Sequence, residues 1–268
     1  MFMRLLRFFT LLMTYCLYHT ATATTLGQGI FFDPIHGSRL LTYENIHGLA
    51  IVEGDILLGK AAKISKASIL LPKVGGSLWP EGILPYTFAD DLPVMNKMAT
   101  LQAMSLWQNK TNVKFVEVTP ENSAHYPDFI SFEPIAGTTC ASYVGRQKGR
   151  QIVNLSPRCN TMITVHEIGH ALGLWHEQSR NDRDLYIRII WENIEEDHRY
   201  NFDQHLTDSR DYGDYDYQSI MHYQPYAFSK NGEKTIVALT EGVILGQRDH
   251  ISEKDIAAIN ELYPAETK

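Results

Sequence analysis

Basic stripes, internal repeats and low-complexity tracts are missing from this sequence, and cysteine is scarce, with three in 268 residues. Without clustered Lys and Arg there is no footprint for phosphate, and 24 basic against 31 acidic side chains, a net −7, sets nucleic acid aside as a partner. A content of 44% hydrophobic and 21% charged residues excludes disorder and collagen-like order. No apolar run reaches the roughly 20 residues that a bilayer span requires, which excludes a polytopic membrane protein. The length suits one large domain, or one domain with an extra segment, and there are apolar residues enough for a normal core.

One apolar stretch, Phe8 to Tyr18, follows Arg4 and Arg7 and precedes Ala21-Thr22-Ala23. That is the layout of a signal peptide over residues 1–23, with cleavage expected after Ala23 and secretion as the destination. A membrane anchor is the other reading of this stretch, and its length disfavours it, so no membrane span is expected in the mature form. Removing the leader also removes Cys16 and leaves Cys140 and Cys159, an even pair expected to be bridged in an oxidising compartment. Farther on, Lys60, Lys63, Lys66 and Lys73 lie in a stretch of little periodicity that ends in Gly75-Gly76-Ser77, the composition of a linker that a protease can reach. Seven of the 24 basic residues but only four of the 31 acidic ones precede residue 74, so the acidity belongs to 74–268.

Within that part, Tyr86 to Ala89, Val113 to Val118, Phe129 to Phe132, Ser142 to Val144 and Gln151 to Leu155 are short runs rich in β-branched and aromatic residues, bounded by Gly, Pro and Asn. They are expected to form five strands of one sheet. Leu92 to Asn109 is expected to be a helix, with Pro93 in its first turn and Asp90 or Asp91 as its cap. A last helix is capped by Ser252 with Asp255 three residues on, keeps Ile256, Ile259 and Leu262 at helical spacing, and stops at Pro264. Residues 177 to 250 have weak periodicity and are expected to be mostly irregular.

The segment His166-Glu167-Ile168-Gly169-His170-Ala171-Leu172-Gly173-Leu174-Trp175-His176 is a long zinc-binding signature. Four helical residues turn the chain by about 400°, so His166 and His170 share one face and can aim two imidazoles at one point, with Glu167 beside them. The far face carries Thr164, Val165, Ile168, Ala171 and Leu172, which is expected to pack on the sheet. Gly173 can take the left-handed conformation that ends a helix and lets the chain turn back to bring His176 in as a third ligand. Three neutral imidazoles leave a fourth zinc position open, the arrangement of a catalytic site. His36, His47, His125, His198, His205 and His250 carry no such pattern and are expected to be solvated or hydrogen-bonded.

From His166 to Arg180, reading HEIGHALGLWHEQSR, the chain resembles the astacin family of metzincin zinc endopeptidases. Ser219-Ile220-Met221-His222-Tyr223 is similar to that family's Met-turn, Leu78 to Phe88 to the opening of its catalytic domain, and Leu245 to Tyr263 to its close. The resemblance implies an α+β fold: a metzincin-type catalytic domain over 74–268, with an N-terminal twisted sheet and zinc-binding helix and a largely irregular C-terminal half ending in a helix. It places Met221 beneath the zinc, makes Tyr223 a displaceable further ligand that helps hold the oxyanion, gives Glu167 the part of general base, and has Glu177 seat the new N-terminus after activation. Val52-Glu53-Gly54-Asp55-Ile56 resembles the propeptide motif whose aspartate takes the zinc's open position, although Ile51 stands where an aromatic is common. Residues 24–73 are then a propeptide with Asp55 as its latency switch. Cys140 and Cys159 match one of the family's two disulfides and the other pair is missing. Cys140, Ala141, Ser142 and Tyr143 are implied to be the edge strand that pairs with an extended substrate.

The reading that follows is a secreted zinc endopeptidase made as a zymogen, monomeric, acting on proteins or peptides. Two other classes share the three histidines. A hydrolase of small amides needs neither edge strand nor propeptide, and a binding module with structural zinc has no use for Glu167.

Overall fold

Four strands that no local pattern announces come from residues 25–60 and extend the sheet expected from the later chain. The computed structural model describes residues 25–33, 37–64, 77–135, 137, 139–206 and 209–265. The expected signal peptide, the propeptide's end, Lys66, Lys73, Gly75 and Gly76 lie outside them. In chain order the elements are β1 (Thr25–Asp33), β2 (Gly37–Ile46), β3 (Leu49–Val52), β4 (Ile56–Lys60), α1 (Ala61–Ile64), β5 (Ile83–Phe88), α2 (Val94–Lys110), β6 (Lys114–Glu117), β7 (Phe129–Glu133), β8 (Ala141–Ser142), β9 (Arg150–Asn154), α3 (Thr161–Leu172), β10 (Ile187–Ile189), β11 (Ile236–Ala238) and α4 (Glu253–Leu262). The main sheet runs β1-β2-β3-β4-β8-β9-β7-β5-β6, and β10 pairs with β11 in a small second sheet. This mixed architecture is the expected α+β fold.

The five expected strands are therefore present as β5 to β9, with ends shifted by a residue or two. Strands β5, β6, β7 and β9 are parallel neighbours, and the connection from β5 to β6 runs through α2, as parallel pairing requires. The helix start differs from expectation. Pro93 occupies the N-cap position with no side-chain cap, and Asp90 and Asp91 stay in the preceding turn. The ring of Pro93 keeps Leu92 out of the helical region, and Pro93 is itself extended at ψ 143°, so Val94 is the first helical residue. Lys60 and Lys63, expected in a linker, instead close β4 and sit in α1.

The core between sheet and helices is built on large buried side chains: Trp79, Trp107, Ile130, Phe132, Ile168 and Leu172. Both buried indoles find acceptors on the metal helix, Trp79 Nε1 on the Ala171 carbonyl (2.8 Å) and Trp107 Nε1 on that of Val165 (3.0 Å). The face of Thr164, Val165, Ile168, Ala171 and Leu172 is fully buried, and it packs on α2 as well as on β8 and β9. At the other end, Ser252 and Asp255 form the expected capping box of α4, and Asp255 also accepts from Ser219 Oγ (2.7 Å) and the Ile220 N–H (2.8 Å). The last helix thus pins the turn that carries Met221.

Cys140 and Cys159 are bridged, Cα atoms 6.0 Å apart, which fastens the residue before β8 to the residue before the α3 N-cap, Asn160. Thiol labelling without reductant is expected to find neither sulfur free. Replacing both by Ala is expected to lower stability by about 3 kcal/mol, read as a lower Tm, because the bridge closes a loop with a sequence separation of 19. Two free thiols in protein from an oxidising compartment would remove the bridge.

Candidate metal centre

Helix α3 starts at Asn160, whose side chain accepts from the Ile163 N–H, and stops at Gly173, left-handed at φ 112°, whose N–H returns to the carbonyls of Gly169 and His170. A side chain at that φ is strained, so the reversal that carries the chain back toward the metal face rests on this glycine. Inside the helix, Gly169 has a different duty. A Cβ there would lie 2.7 Å from Met221 Sδ, so only glycine lets the methionine pass this close beneath the helix. The zinc signature does not specify that position, and no local signal marks it.

His166, His170 and His176 are buried, and one ligand-type atom from each, with one from Asp55, lie within 4.8 Å of one another. Asp55 Oδ2 is 3.2 Å from His166 Nε2, and Asp55 Oδ1 is 3.5 Å from His170 Nε2 and 3.1 Å from His176 Nε2; His166 and His176 Nε2 are 3.3 Å apart. The far side of each ring is tied off. His166 Nδ1 is 2.8 Å from the Ile220 carbonyl, His170 Nδ1 2.8 Å from that of Leu174, and His176 Nδ1 2.8 Å from Glu53 Oε2. Carbonyls and carboxylates only accept, so each Nδ1 carries the proton and each Nε2 presents a lone pair inward.

That donor set fits zinc. Tetrahedral sites with Zn–N and Zn–O bonds of about 2.0–2.2 Å put their ligand atoms roughly 3.3–3.5 Å apart, close to the 3.1–3.5 Å of the four pairs given above. Asp55 Oδ1 and His170 Nε2 are buried without a hydrogen-bond partner, as atoms awaiting a cation would be.

The electrostatics follow from burial and this crowding. Burial alone would raise the Asp55 carboxyl, but the charge of His176 and the close approach of the three imidazoles outweigh it and hold it well below the ordinary range. Burial depresses His166 to about 3. His176 is lifted to about 9, because the carboxylates of Asp55 and Glu53 overcome its own burial. Glu167, buried beside the cluster with Oε2 unpartnered, is held well above the ordinary carboxyl range by burial and by Asp55, with Arg248 opposing.

Tyr223 lies tilted against His176, ring centroids 4.7 Å apart and planes at 60°, but its hydroxyl donates to the Glu53 carbonyl at 2.6 Å. Glu177 accepts from the Asp216 N–H at 2.6 Å and borders a cavity of about 450 Å³ that also touches Ser77, His176, Arg180, Asp216 and Leu262. Residues 140–143, expected to be an edge strand, do not lie at an edge of the sheet. The two-residue strand β8 lies between β9 and β4, with Ile56 opposite Ser142 in parallel register and the Ser142 N–H on the Asp55 carbonyl at 2.9 Å. Strand β4 of the N-terminal segment thus covers this side of β8.

The family model for Astacin, a peptidase family, matches residues 73–264. This chain belongs to the astacin family. It is 38% identical over 266 residues to zinc metalloproteinase nas-4 of Caenorhabditis elegans, a match that covers 90% of this chain and 80% of that protein. To human meprin A subunit beta it is 37% identical over 222 residues, 81% of this chain and 30% of the relative. It spans about half the mouse astacin-like metalloendopeptidase, 54% of that protein at 33% identity. Among solved structures, high choriolytic enzyme 1, a hatching enzyme zinc-protease from the medaka Oryzias latipes, matches with a TM-score of 0.63 at 35% identity, over 71% of this chain and 94% of that one. This astacin-family chain is accordingly a zinc metalloendopeptidase. Among the described residues no helix is long and apolar enough to cross a membrane.

Proposed function

We propose that the chain is a secreted, monomeric endopeptidase zymogen, in which residues 1–23 direct export, residues 24–73 are the propeptide, and the carboxylate of Asp55 fills the position that a catalytic water needs. The single observation that carries this reading is the Asp55 carboxylate 3.1–3.5 Å from all three histidine Nε2 atoms. His166, His170 and His176 would hold the zinc, with Met221 packed beneath them. Bound there, zinc supplies Lewis acidity to the scissile carbonyl and to a water.

Glu167 takes the proton of the attacking water and delivers it to the leaving amine. Burial and the nearby Asp55 carboxylate raise its carboxyl above the ordinary range, the direction that helps one group both accept and give a proton. Once the propeptide leaves, residues 140–143 become a free edge whose main chain can bind an extended polypeptide, which favours peptide over small-amide substrates. The parallel pairing of β4 with β8 supports a segment that shields this edge. Glu177 would receive the new amino terminus, and a cavity bordered by both Ser77 and Glu177 has the room for it.

Zinc content by atomic absorption, with peptide hydrolysis measured before and after a cut within residues 65–76, tests the proposal. Zinc-loaded chain that stays inert on every peptide after the cut would return the site to a structural role.

Tyr223 would turn from the Glu53 carbonyl toward the substrate oxyanion once the propeptide is gone. Tyr223→Phe in the processed enzyme is therefore expected to keep its zinc and lose about 10²-fold in kcat with KM little moved. An unchanged kcat would make Tyr223 a packing residue.

A further inference from the structure

Three imidazoles face the metal position, but their outer partners do not come from the same part of the chain. His166 and His170 hand their Nδ1 protons to main-chain carbonyls of Ile220 and Leu174, which remain whatever happens before residue 74. His176 hands its proton to Glu53 Oε2, a side chain 123 residues earlier in the segment read as propeptide.

Glu53 is held from every side. Its N–H donates to Asn201 Oδ1 at 2.7 Å and its carbonyl accepts from the Tyr223 hydroxyl at 2.6 Å. Oε2 also accepts from Ser179 Oγ at 3.1 Å, and Oε1 from His205 Nε2. The residue is 5% exposed and sits in the short connection between β3 and β4 at φ 50°, followed by Gly54 at φ 77°. Gly or Asn is the ordinary occupant of a left-handed turn position, so a glutamate there has a use for its side chain. The same turn delivers two carboxylates two residues apart: Asp55 reaches the inner nitrogens of all three histidines, and Glu53 reaches the outer nitrogen of one.

We propose that Glu53 is a positioning residue for the metal: the propeptide completes the outer shell of His176, fixing its tautomer and ring orientation, so that the uncut chain grips zinc more firmly than Asp55 alone accounts for. Processing then removes an inner ligand and an outer-shell acceptor in one step, leaving His176 to find a new partner for Nδ1. The inference rests on the reading of His166, His170 and His176 as the zinc ligands.

The test uses full-length chains that all carry Glu167→Ala, so that none can cut itself. Zinc affinity is measured by competition with a chromophoric chelator, and the site is also loaded with cobalt(II), whose visible spectrum reports ligand geometry. With Asp55→Ala in every chain to remove the inner carboxylate, adding Glu53→Gln is expected to weaken zinc by about 10- to 100-fold, the usual effect of losing an outer-shell partner, and to alter the cobalt spectrum. The matched control is Glu44→Gln. Glu44 is a side chain of the same segment that pairs with His198 and lies outside the group of ligand atoms, so its loss loosens docking without removing an acceptor from an imidazole ligand. It should stay within about twofold in affinity and leave the spectrum unchanged.

Equal losses for Glu53→Gln and Glu44→Gln would mean that Glu53 only docks the propeptide, and would overturn the inference. So would an unaltered affinity and spectrum for Glu53→Gln. Failure of the underlying reading looks different: His170→Ala would then bind zinc as tightly as its parent.

Discussion

Processed Glu167→Ala is expected to keep its zinc and to hydrolyse peptides about 10²–10⁴-fold more slowly than the processed wild type, the span that a lost general base commands. The geometry separates the two properties. Glu167 is absent from the group of ligand atoms that faces Asp55, so its removal takes nothing from the metal. It is nevertheless the carboxylate next to that group, buried, with one oxygen left unpartnered for an incoming proton. His170→Ala is the contrasting change, because His170 is one of the three inward-facing imidazoles, and it is expected to lose metal and activity together. Zinc content and kcat/KM measured on the same preparations decide the matter. A Glu167→Ala enzyme that cleaves at close to the wild-type rate would put the base elsewhere.

Reading the sequence went furthest where the chemistry is local. His166 and His170 are four residues apart on one helix, and Ser252 and Asp255 three apart at the start of another, so helical geometry alone brings each pair together. Gly173 as a stop has the same local character. The strands at 25–60 were not legible, because their partners are set by hairpins of the same segment and by β8 more than 80 residues on. Glu53 was hidden for a related reason. An acid beside Gly54 reads as turn chemistry, and only the folded chain brings it to His176 and His205, 123 and 152 residues away. His205 itself, expected to be merely solvated or hydrogen-bonded, proves to be the second partner of that carboxylate. The helix start at Pro93 shows a conflict between two local rules, in which the backbone restriction before proline outweighed the capping preference of Asp90 and Asp91.

On the proposed zymogen reading, the apolar side of the N-terminal segment would give latency a second support beside Asp55. Tyr43, Ala50, Val52, Ile56, Leu58 and Ile64 pack with Val144 and with Trp175, which lies next to the third histidine. This contact holds β4 on β8, and a chain released from the metal would still cover the substrate groove. On that reading two devices, one coordinating and one steric, would act on the same cleft.

Intact full-length protein is accordingly expected to be inert, and a cut among the residues between Ile64 and Ser77 to release activity. If the docked carboxylate outcompetes water about 100-fold, a preference of about 2.7 kcal/mol, residual activity is roughly 1% of the processed rate. Lys60 and Lys63 are poorer cutting sites than the linker composition suggested, since they belong to β4 and α1 and their backbone is committed to those elements. Uncut Asp55→Ala should rise above the uncut wild type and still fall short of the processed enzyme, because β4 continues to occupy β8 and the apolar contact with Trp175 survives. Self-cleavage could imitate that rise, so the same substitution is made alongside Glu167→Ala and each chain is followed on a gel through the assay. Wild-type chain that remains intact yet hydrolyses peptides at the processed rate would defeat the latency reading and leave Asp55 an ordinary turn residue. Activity of uncut Asp55→Ala equal to that of the processed enzyme would instead show that the carboxylate alone imposes latency and that the covered strand contributes nothing.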